Sequence, residues 1–267
     1  MSDIDLRLGR WEDVLADVEC DALITDPPYS ARTHEAYSPR TDVLTACERD
    51  AKWSARGGKR RTLDYETWND DQIAEAAENW SRMCRGWIVV FCDHVIARVW
   101  ESELQRYGRY VFSPLAAVEP GSRVRLAGDG PSQWSTWIVT ARPRTMPWCK
   151  WGTLPGAYVV PEGNSGQKSK VVTGGKPLWL MQRLVADYSR PGDLICDPCA
   201  GGATTLLAAA IEGRRAIGAE MDPVTHAKAT KRLARGYTPV MFQTEREPID
   251  PKSQESLFDG SSSKAGG

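Results

Sequence analysis

Apolar residues recur along this chain at two periods, and the periods divide it into elements. Asp5 to Leu8 alternates polar and apolar positions as a short strand does, and Trp11 to Val18 can close a brief helix. That helix leads into a buried strand, Ala22 to Thr25, which stops at two successive prolines. From Ser30 to Tyr65 no period is sustained. Ile73, Ala76, Ala77, Trp80, Met83 and Cys84 then fall at i, i+3, i+4, i+7, i+10 and i+11, the apolar stripe of a core-facing helix, with Asp70 or Asp71 placed to cap it. Trp87 to Cys92 is a continuous apolar run between Gly86 and Asp93, the pattern of a strand buried on both faces of a parallel sheet. A second helical stripe runs through Val95, Ile96, Val99, Trp100 and Leu104. Tyr110 to Val118 and Ser135 to Thr140 read as two strands paired at a sheet edge, joined by the glycine-rich connection Gly121 to Gly130.

The period disappears again between Arg142 and Lys176, and Pro177 opens a helix at its favoured first position, lined by Leu178, Met181, Leu184, Val185 and Tyr188. A strand ending at Asp197, a turn of small residues, a helix from Thr204 to Glu212 and a strand from Arg215 to Ala219 come next. Asp222 and Pro223 cap and start a last helix to about Arg235. From Gln243 onward the chain is charged, then Ser/Gly-rich, and reads as a disordered tail.

Composition narrows what such a chain can be. At 267 residues and 41% hydrophobic content it can bury a full core as one domain with insertions. A formal net charge of −1 excludes a globally basic nucleic-acid binder, so any nucleic-acid surface has to be local. The seven cysteines follow no disulfide spacing and the N-terminus carries no apolar leader run, which points to a reducing cytoplasm. No apolar stretch is long enough to cross a bilayer, and no membrane partner is expected.

Two stretches carry candidate chemistry. At Asp26-Pro27-Pro28-Tyr29 a carboxylate, an unpaired backbone carbonyl and a flat ring are held rigidly at a strand end. A planar base bearing an amino group would satisfy all three. An ordinary Pro-Pro turn after a strand is the other reading of the same four residues.

The second stretch is Asp197-Pro198-Cys199-Ala200-Gly201-Gly202-Ala203-Thr204-Thr205, where small residues allow a ligand to approach the backbone at a helix N-terminus. Glu220, at the end of the next strand, is placed to accept hydrogen bonds from ribose hydroxyls. Together they make a nucleoside-binding βαβ unit.

Basic residues gather in the two segments without a period. Lys52, Arg56, Lys59, Arg60 and Arg61 surround Gly57-Gly58, and Arg142, Arg144, Lys150, Lys168, Lys170 and Lys176 are interleaved with Trp148, Trp151 and Tyr158. Phosphate contact with base-edge reading is the expectation, against a solvated charge run. Cys196 and Cys199 form a C-x-x-C pair without a second pair or histidine at ligand spacing, so no metal site is expected.

In these motifs and their order the chain resembles the S-adenosylmethionine-dependent DNA amino-methyltransferases of the β group. There the Asp-Pro-Pro-Tyr motif precedes the target-recognition segment and the glycine loop comes last. Asp26 to Tyr29, Lys176-Pro177 with its helix, Asp197 to Thr205, and Glu220 carry the resemblance, which spans about Asp5 to Arg235. It implies an α/β, doubly wound, Rossmann-like fold whose sheet is seven-stranded and mostly parallel with one antiparallel strand, in a circularly permuted motif order. The strands ending at Asp26 and Asp197 would be neighbours, meeting at the topological switch point. Residues 1–141 would form the catalytic half, with a basic loop at 30–69. Residues 142–175 would be the target-recognition segment, 176–242 the cofactor half and 243–267 the tail.

The resemblance further implies S-adenosylmethionine as cofactor, held by Lys176, Pro177, residues 197–205, Glu220 and Asp222. It implies duplex DNA as substrate and a cognate restriction endonuclease as the protein partner to consider. Asp26 and the Pro27 carbonyl would accept the protons of an adenine amino group, with Pro28 fixing the turn and Tyr29 stacking on the flipped base. The methyl would pass directly, without a covalent enzyme intermediate. Asp26 favours adenine N6, since cytosine-N4 enzymes more often carry Ser there. Cytosine-N4 methylation and a catalytically impaired DNA-binding relative are the alternatives.

The chain departs from the pattern at Cys199, Gly202 and Ala203, where the usual loop is close to DPFAGSGTT. It departs again at Val172-Thr173-Gly174, at Thr225 and at Gly9-Arg10-Trp11. Ala203 matters most: if its position requires φ > 0, its Cβ is strained there.

Overall fold

The computed structural model describes residues 4–31, 33, 66–121, 133–147, 151–161 and 174–235. Most of the basic loop, including Lys52, Arg56, Lys59, Arg60 and Arg61, lies outside the described residues, as do Lys150, Lys168, Lys170 and the tail 243–267.

Nine strands and six helices lie among the described residues. In chain order they are β1 (Ile4–Leu8), α1 (Trp11–Val14), β2 (Cys20–Thr25), α2 (Asp70–Met83), β3 (Cys84–Cys92), α3 (Ala97–Arg106), β4 (Arg109–Val111), β5 (Leu115–Val118), β6 (Ser135–Pro143), β7 (Ala157–Val159), α4 (Leu178–Tyr188), β8 (Leu194–Asp197), α5 (Thr204–Ile211), β9 (Arg215–Glu220) and α6 (Pro223–Arg235).

One sheet takes all the strands in the order β1-β9-β8-β2-β3-β6-β5-β7, with β4 also pairing to β6. Among the described residues only β6 runs against its neighbours, pairing antiparallel with β3, β4 and β5. The single antiparallel strand is as expected. The count is nine rather than seven because two three-residue strands, β4 and β7, join the edge.

Side-chain alternation explains the two layers. Leu23 of β2 and Ile88, Val90 and Cys92 of β3 pack on one face with Trp80 of α2 and Trp100 of α3. Ala22, Ile24, Trp87, Val89 and Phe91, the intervening residues, face Leu180, Leu184, Leu206 and Ala209 of α4 and α5. An apolar run with no polar alternation is therefore what a central strand under helices on both sides requires. The Trp80 and Trp100 rings stack with centroids 5.3 Å apart, a pairing worth about 0.5–1.5 kcal/mol beyond burial.

Local expectations hold with specific corrections. α2 is capped by Asn69, not by Asp70 or Asp71. The Asn69 side chain accepts from the Gln72 N–H and Gln72 returns a bond to the Asn69 N–H, a reciprocal capping box. The two aspartates sit instead in the first turn, where the helix dipole favours negative charge. Residues 110–118 do not form one strand, since the chain leaves the ladder between β4 and β5 at Pro114, which has no N–H to donate. Pro177 is the N-cap of α4 rather than its first residue. β7, unforeseen by the lack of periodicity, is too short for one: only Tyr158 is buried, and its hydroxyl donates to Asp187 Oδ2 at 2.8 Å.

Candidate active site

β2 and β8 lie side by side and parallel, Leu23 opposite Cys196. From β2 the chain passes through α2 to β3 on one side, and from β8 through α5 to β9 on the other. Connections that diverge from two adjacent strands leave a crevice above their carboxyl ends, the usual ligand position in an open α/β sheet. Both strands arrive there on an Asp-Pro dipeptide.

Asp26 follows β2 directly and is half-buried. Its Oδ1 accepts the Tyr29 hydroxyl at 2.8 Å and its Oδ2 the Lys176 ammonium at 2.5 Å. The same ammonium lies 4.9 Å from the centroid of the Phe91 ring and 5.2 Å from that of Tyr29. The lysine expected beside a cofactor thus ends on the motif acid, within a small cage of aromatic faces.

Asp93, at the end of β3, fixes the segment that leaves this motif. Its Oδ2 accepts from the Ser30 N–H at 3.1 Å, the Ser30 hydroxyl at 2.5 Å and the Thr33 hydroxyl at 2.7 Å, while its Oδ1 accepts from the Val95 and Ile96 N–H groups. Burial pushes its carboxyl up, but these donors outweigh burial and hold it below the ordinary carboxylate value. In sequence Asp93 marked only the end of a strand. A buried acid after an apolar run was the available signal.

Asp197 is the counterpart of Asp26 on β8, yet only 2% of it is exposed. Its Oδ1 accepts the Thr25 hydroxyl at 2.7 Å and the Cys199 N–H at 3.2 Å. Burial raises its carboxyl to about 6, with hydrogen bonds from Thr205, Thr25 and Cys199 opposing the shift. The Asp197 carboxylate therefore faces inward and ties the turn to β2.

The turn after Asp197 is left-handed at Gly201 (φ 49°) and at Ala203 (φ 55°, ψ 36°). The Ala200 N–H donates to Ala219 O at 2.9 Å, which seats the turn on β9. Gly218 makes that seat possible: a Cβ there would stand 2.8 Å from Asp197 O and 2.9 Å from Leu206 Cδ1. Pro198, Ala200, Gly202, Ala203 and Thr205 are buried, leaving Cys199, Gly201 and Thr204 half-exposed at the mouth.

Glu220 ends β9 beside them. Its Oε1 accepts the Asp222 N–H at 2.7 Å, Gly201 supplies a second backbone donor, and burial raises its carboxyl. Asp222 caps α6 through the Thr225 N–H at 2.8 Å. The C-x-x-C cysteines are split by the fold, Cys196 in the sheet core and Cys199 on the turn.

A family model described as DNA methylase (N6_N4_Mtase) matches residues 93–231, more than half of the chain. The chain belongs to the DNA methylase family. The matched stretch of this family member holds Asp93, Lys176, the 197–205 turn and Glu220, while Asp26 to Tyr29 precedes it.

The Escherichia coli (strain K12) protein YubD, whose name describes a methylase, is 37% identical over 59 residues. That match spans 22% of this chain and 26% of YubD. Among solved structures, the M1.HpyAVI–SAM complex is 20% identical with a TM-score of 0.62, covering 86% of this chain and 98% of that one. The Thermus thermophilus protein TTHA0409 complexed with S-adenosyl-L-methionine is 20% identical with a TM-score of 0.54, covering 87% and 95%. The cytosine-N4-specific PvuII DNA methyltransferase is 14% identical with a TM-score of 0.61, covering 87% and 86%. At these identities the likeness to the solved structures is one of fold.

Of the basic residues expected at DNA phosphates, Arg142 and Arg144 lie among the described residues. Arg142, expected at a phosphate, is a correction: it is buried on β6, its Nη1 donating to Met146 O at 3.3 Å and Pro147 O at 3.4 Å. Its guanidinium also lies 5.8 Å from the Tyr110 ring centroid. A cation held by carbonyls and aromatic rings inside the domain is closed to a phosphate. Arg144, two residues on, is exposed.

Proposed function

We propose that this DNA methylase transfers a methyl group from S-adenosylmethionine to the N6 amino group of adenine in duplex DNA. The observation that carries the reading is the placing of two unlike acidic sites on one crevice. Asp26 lies half-buried above β2, and Glu220 with the left-handed turn lies beyond the adjacent strand β8.

The residues present fit the cofactor. Glu220 keeps a half-exposed carboxylate beside the turn, suited to vicinal ribose hydroxyls. The turn's small residues allow close approach of a nucleoside to the backbone. S-adenosylmethionine would supply an electrophilic methyl on a sulfonium. The chain's residues would do the rest.

An adenine amino nitrogen is a poor nucleophile because its lone pair is delocalised into the ring. Asp26 and the Pro27 carbonyl would accept hydrogen bonds from its two N–H groups and so turn the lone pair toward the donor, with Pro28 holding the bend. As the N–C bond forms the sulfonium's C–S bond would break, S-adenosylhomocysteine would leave, and one amino proton would pass to Asp26. Asp26 can do this while Tyr29 and Lys176 stay bonded, since a carboxylate offers about four acceptor directions. Lys176 is then a residue that orients Asp26 rather than a cofactor ligand. Tyr29 would stack on the ring of a base extruded from the duplex, because a paired base cannot enter such a crevice. The acid at the first motif position favours adenine over cytosine.

Arg144 and the basic residues Lys52, Arg56, Lys59, Arg60, Arg61, Lys150, Lys168 and Lys170 would contact DNA phosphates, with the 142–175 segment reading sequence. The test is methyl transfer from labelled S-adenosylmethionine to duplex DNA, followed by digestion and separation of nucleosides. Label in N6-methyl-2′-deoxyadenosine is the expected result. Label in N4-methylcytosine would move the target base, and absence of transfer would overturn the reading.

A further inference from the structure

Ala203 is the one non-glycine residue with positive φ among the described residues, and it is fully buried between Gly202 and Thr204 in the turn below the crevice. A residue with a Cβ does not adopt the left-handed region unaided, so neighbouring contacts must hold it there. Within the turn the Ala203 N–H donates to Ala200 O at 2.7 Å, and the side-chain contacts come from the far end of α6. Arg232 Nη1 donates to Gly202 O at 2.7 Å and to Thr204 Oγ1 at 2.8 Å. One nitrogen thereby grips the residues on both sides of Ala203.

The geometry of that grip is specific. Rotation about φ of Ala203 swings the Gly202–Ala203 peptide and carries the Gly202 carbonyl away from Arg232. Rotation about ψ displaces Thr204 and its hydroxyl. We infer that Arg232 is a positioning residue that locks Ala203 in its left-handed conformation and so shapes the turn that receives the cofactor. Burial disfavours the guanidinium's charge, and a carbonyl and a hydroxyl, rather than a carboxylate, are its acceptors here. The arrangement accounts for a loop that carries alanine where the family pattern has glycine: the conformational freedom absent from the residue is replaced by a clamp from another helix.

The affinity arm of the test rests on the reading of this turn as the cofactor site. In calorimetric titration with S-adenosylmethionine, Arg232→Ala should raise the dissociation constant about ten-fold or more, the effect of losing hydrogen bonds from a charged donor. Turnover at saturating cofactor should stay within about three-fold, since the clamp touches no reacting atom. In an Ala203→Gly background the same change should cost only about two-fold, because glycine takes the left-handed conformation freely.

Equal penalties in both backgrounds, or an unchanged affinity in Arg232→Ala, would overturn the inference. A second arm needs no cofactor: Ala203→Gly should raise the melting temperature more in Arg232→Ala than in the native chain, and equal increments would overturn the inference. If the native chain fails to bind S-adenosylmethionine, the cofactor reading falls and the melting arm still decides the clamp. Where Arg232→Ala does not fold, Arg232→Lys, which keeps the charge with a different reach, enters the same two comparisons with the same deciding outcomes.

Discussion

Asp26 and Asp197 are the same residue in the same place, the last acid before a proline at the carboxyl ends of two adjacent parallel strands, and the fold uses them in opposite ways. Asp26 is half-exposed, and its partners are an ammonium and a phenol that meet it at the crevice. Asp197 is sealed, and its partners are a threonine hydroxyl on the neighbouring strand, the Thr205 side chain on α5 and the backbone of its own turn. The path of the chain beyond each proline makes the difference. Pro28 and Tyr29 lead the chain away from β2, so the acid stays uncovered. After Pro198 the chain turns back through small residues, and the Cys199 N–H closes on Asp197 two residues earlier, an Asx-type turn. A carboxylate that serves its own turn is architecture, and one left at the crevice is open to chemistry.

The largest expected effect separates the two directly. Asp26→Ala should lower methyl-transfer turnover by about 10²- to 10⁴-fold, the usual weight of a positioned proton acceptor. Cofactor affinity should persist, because the turn after β8 is untouched. Single-turnover transfer measured beside calorimetric titration checks both halves, and undiminished turnover would remove Asp26 from the mechanism.

Asp197→Asn should leave an acceptor oxygen for Thr25 and Cys199 and act on stability instead. The folded state holds the Asp197 proton more tightly than the unfolded chain, at about 6 against 3.8. This contribution to stability is therefore fully present below about pH 4 and is lost as pH rises through about 6. The native chain should lose stability relative to Asp197→Asn across that window, by on the order of 3 kcal/mol. Parallel melting curves between pH 4 and 7 would contradict the assignment.

Lys176→Met sharpens the comparison with a smaller change. It keeps an apolar stem against Phe91 and Tyr29 and removes the charge bonded to Asp26. Turnover should fall about ten-fold with cofactor affinity unaltered, the scale of a lost hydrogen bond between charged groups. A weaker affinity with turnover retained at saturation would return Lys176 to the cofactor side, where the resemblance alone had put it.

Much of this site was legible along the chain, and what was legible shares a cause. Asp26 at a strand end, the left-handed demand at Ala203, Glu220 ending β9 and Asp222 capping α6 are all consequences of backbone geometry over a few consecutive residues. The doubly covered sheet was readable for the same reason, since burial on both faces removes the polar alternation from β3. Arg142 shows the limit: its charge and neighbours suggested a phosphate contact, but the pairing of β6 with β4 sets it beside Tyr110, inside the domain.

Sequence by itself determined the longer elements, the two acid-proline strand ends and the chemistry available at each. Only the tertiary structure decided which side chains meet there. Lys176 reaches Asp26 across 150 positions, Asp93 reaches Ser30 across 63, and Arg232 reaches Gly202 across 30. None of these separations follows a helical or strand period. Each contact exists because the strand order β9-β8-β2-β3 brings the carboxyl ends of four strands to one edge, together with the helix and the lysine that pack beside them. That order is set by the packing of two apolar faces over the whole sheet, which no local window of residues encodes.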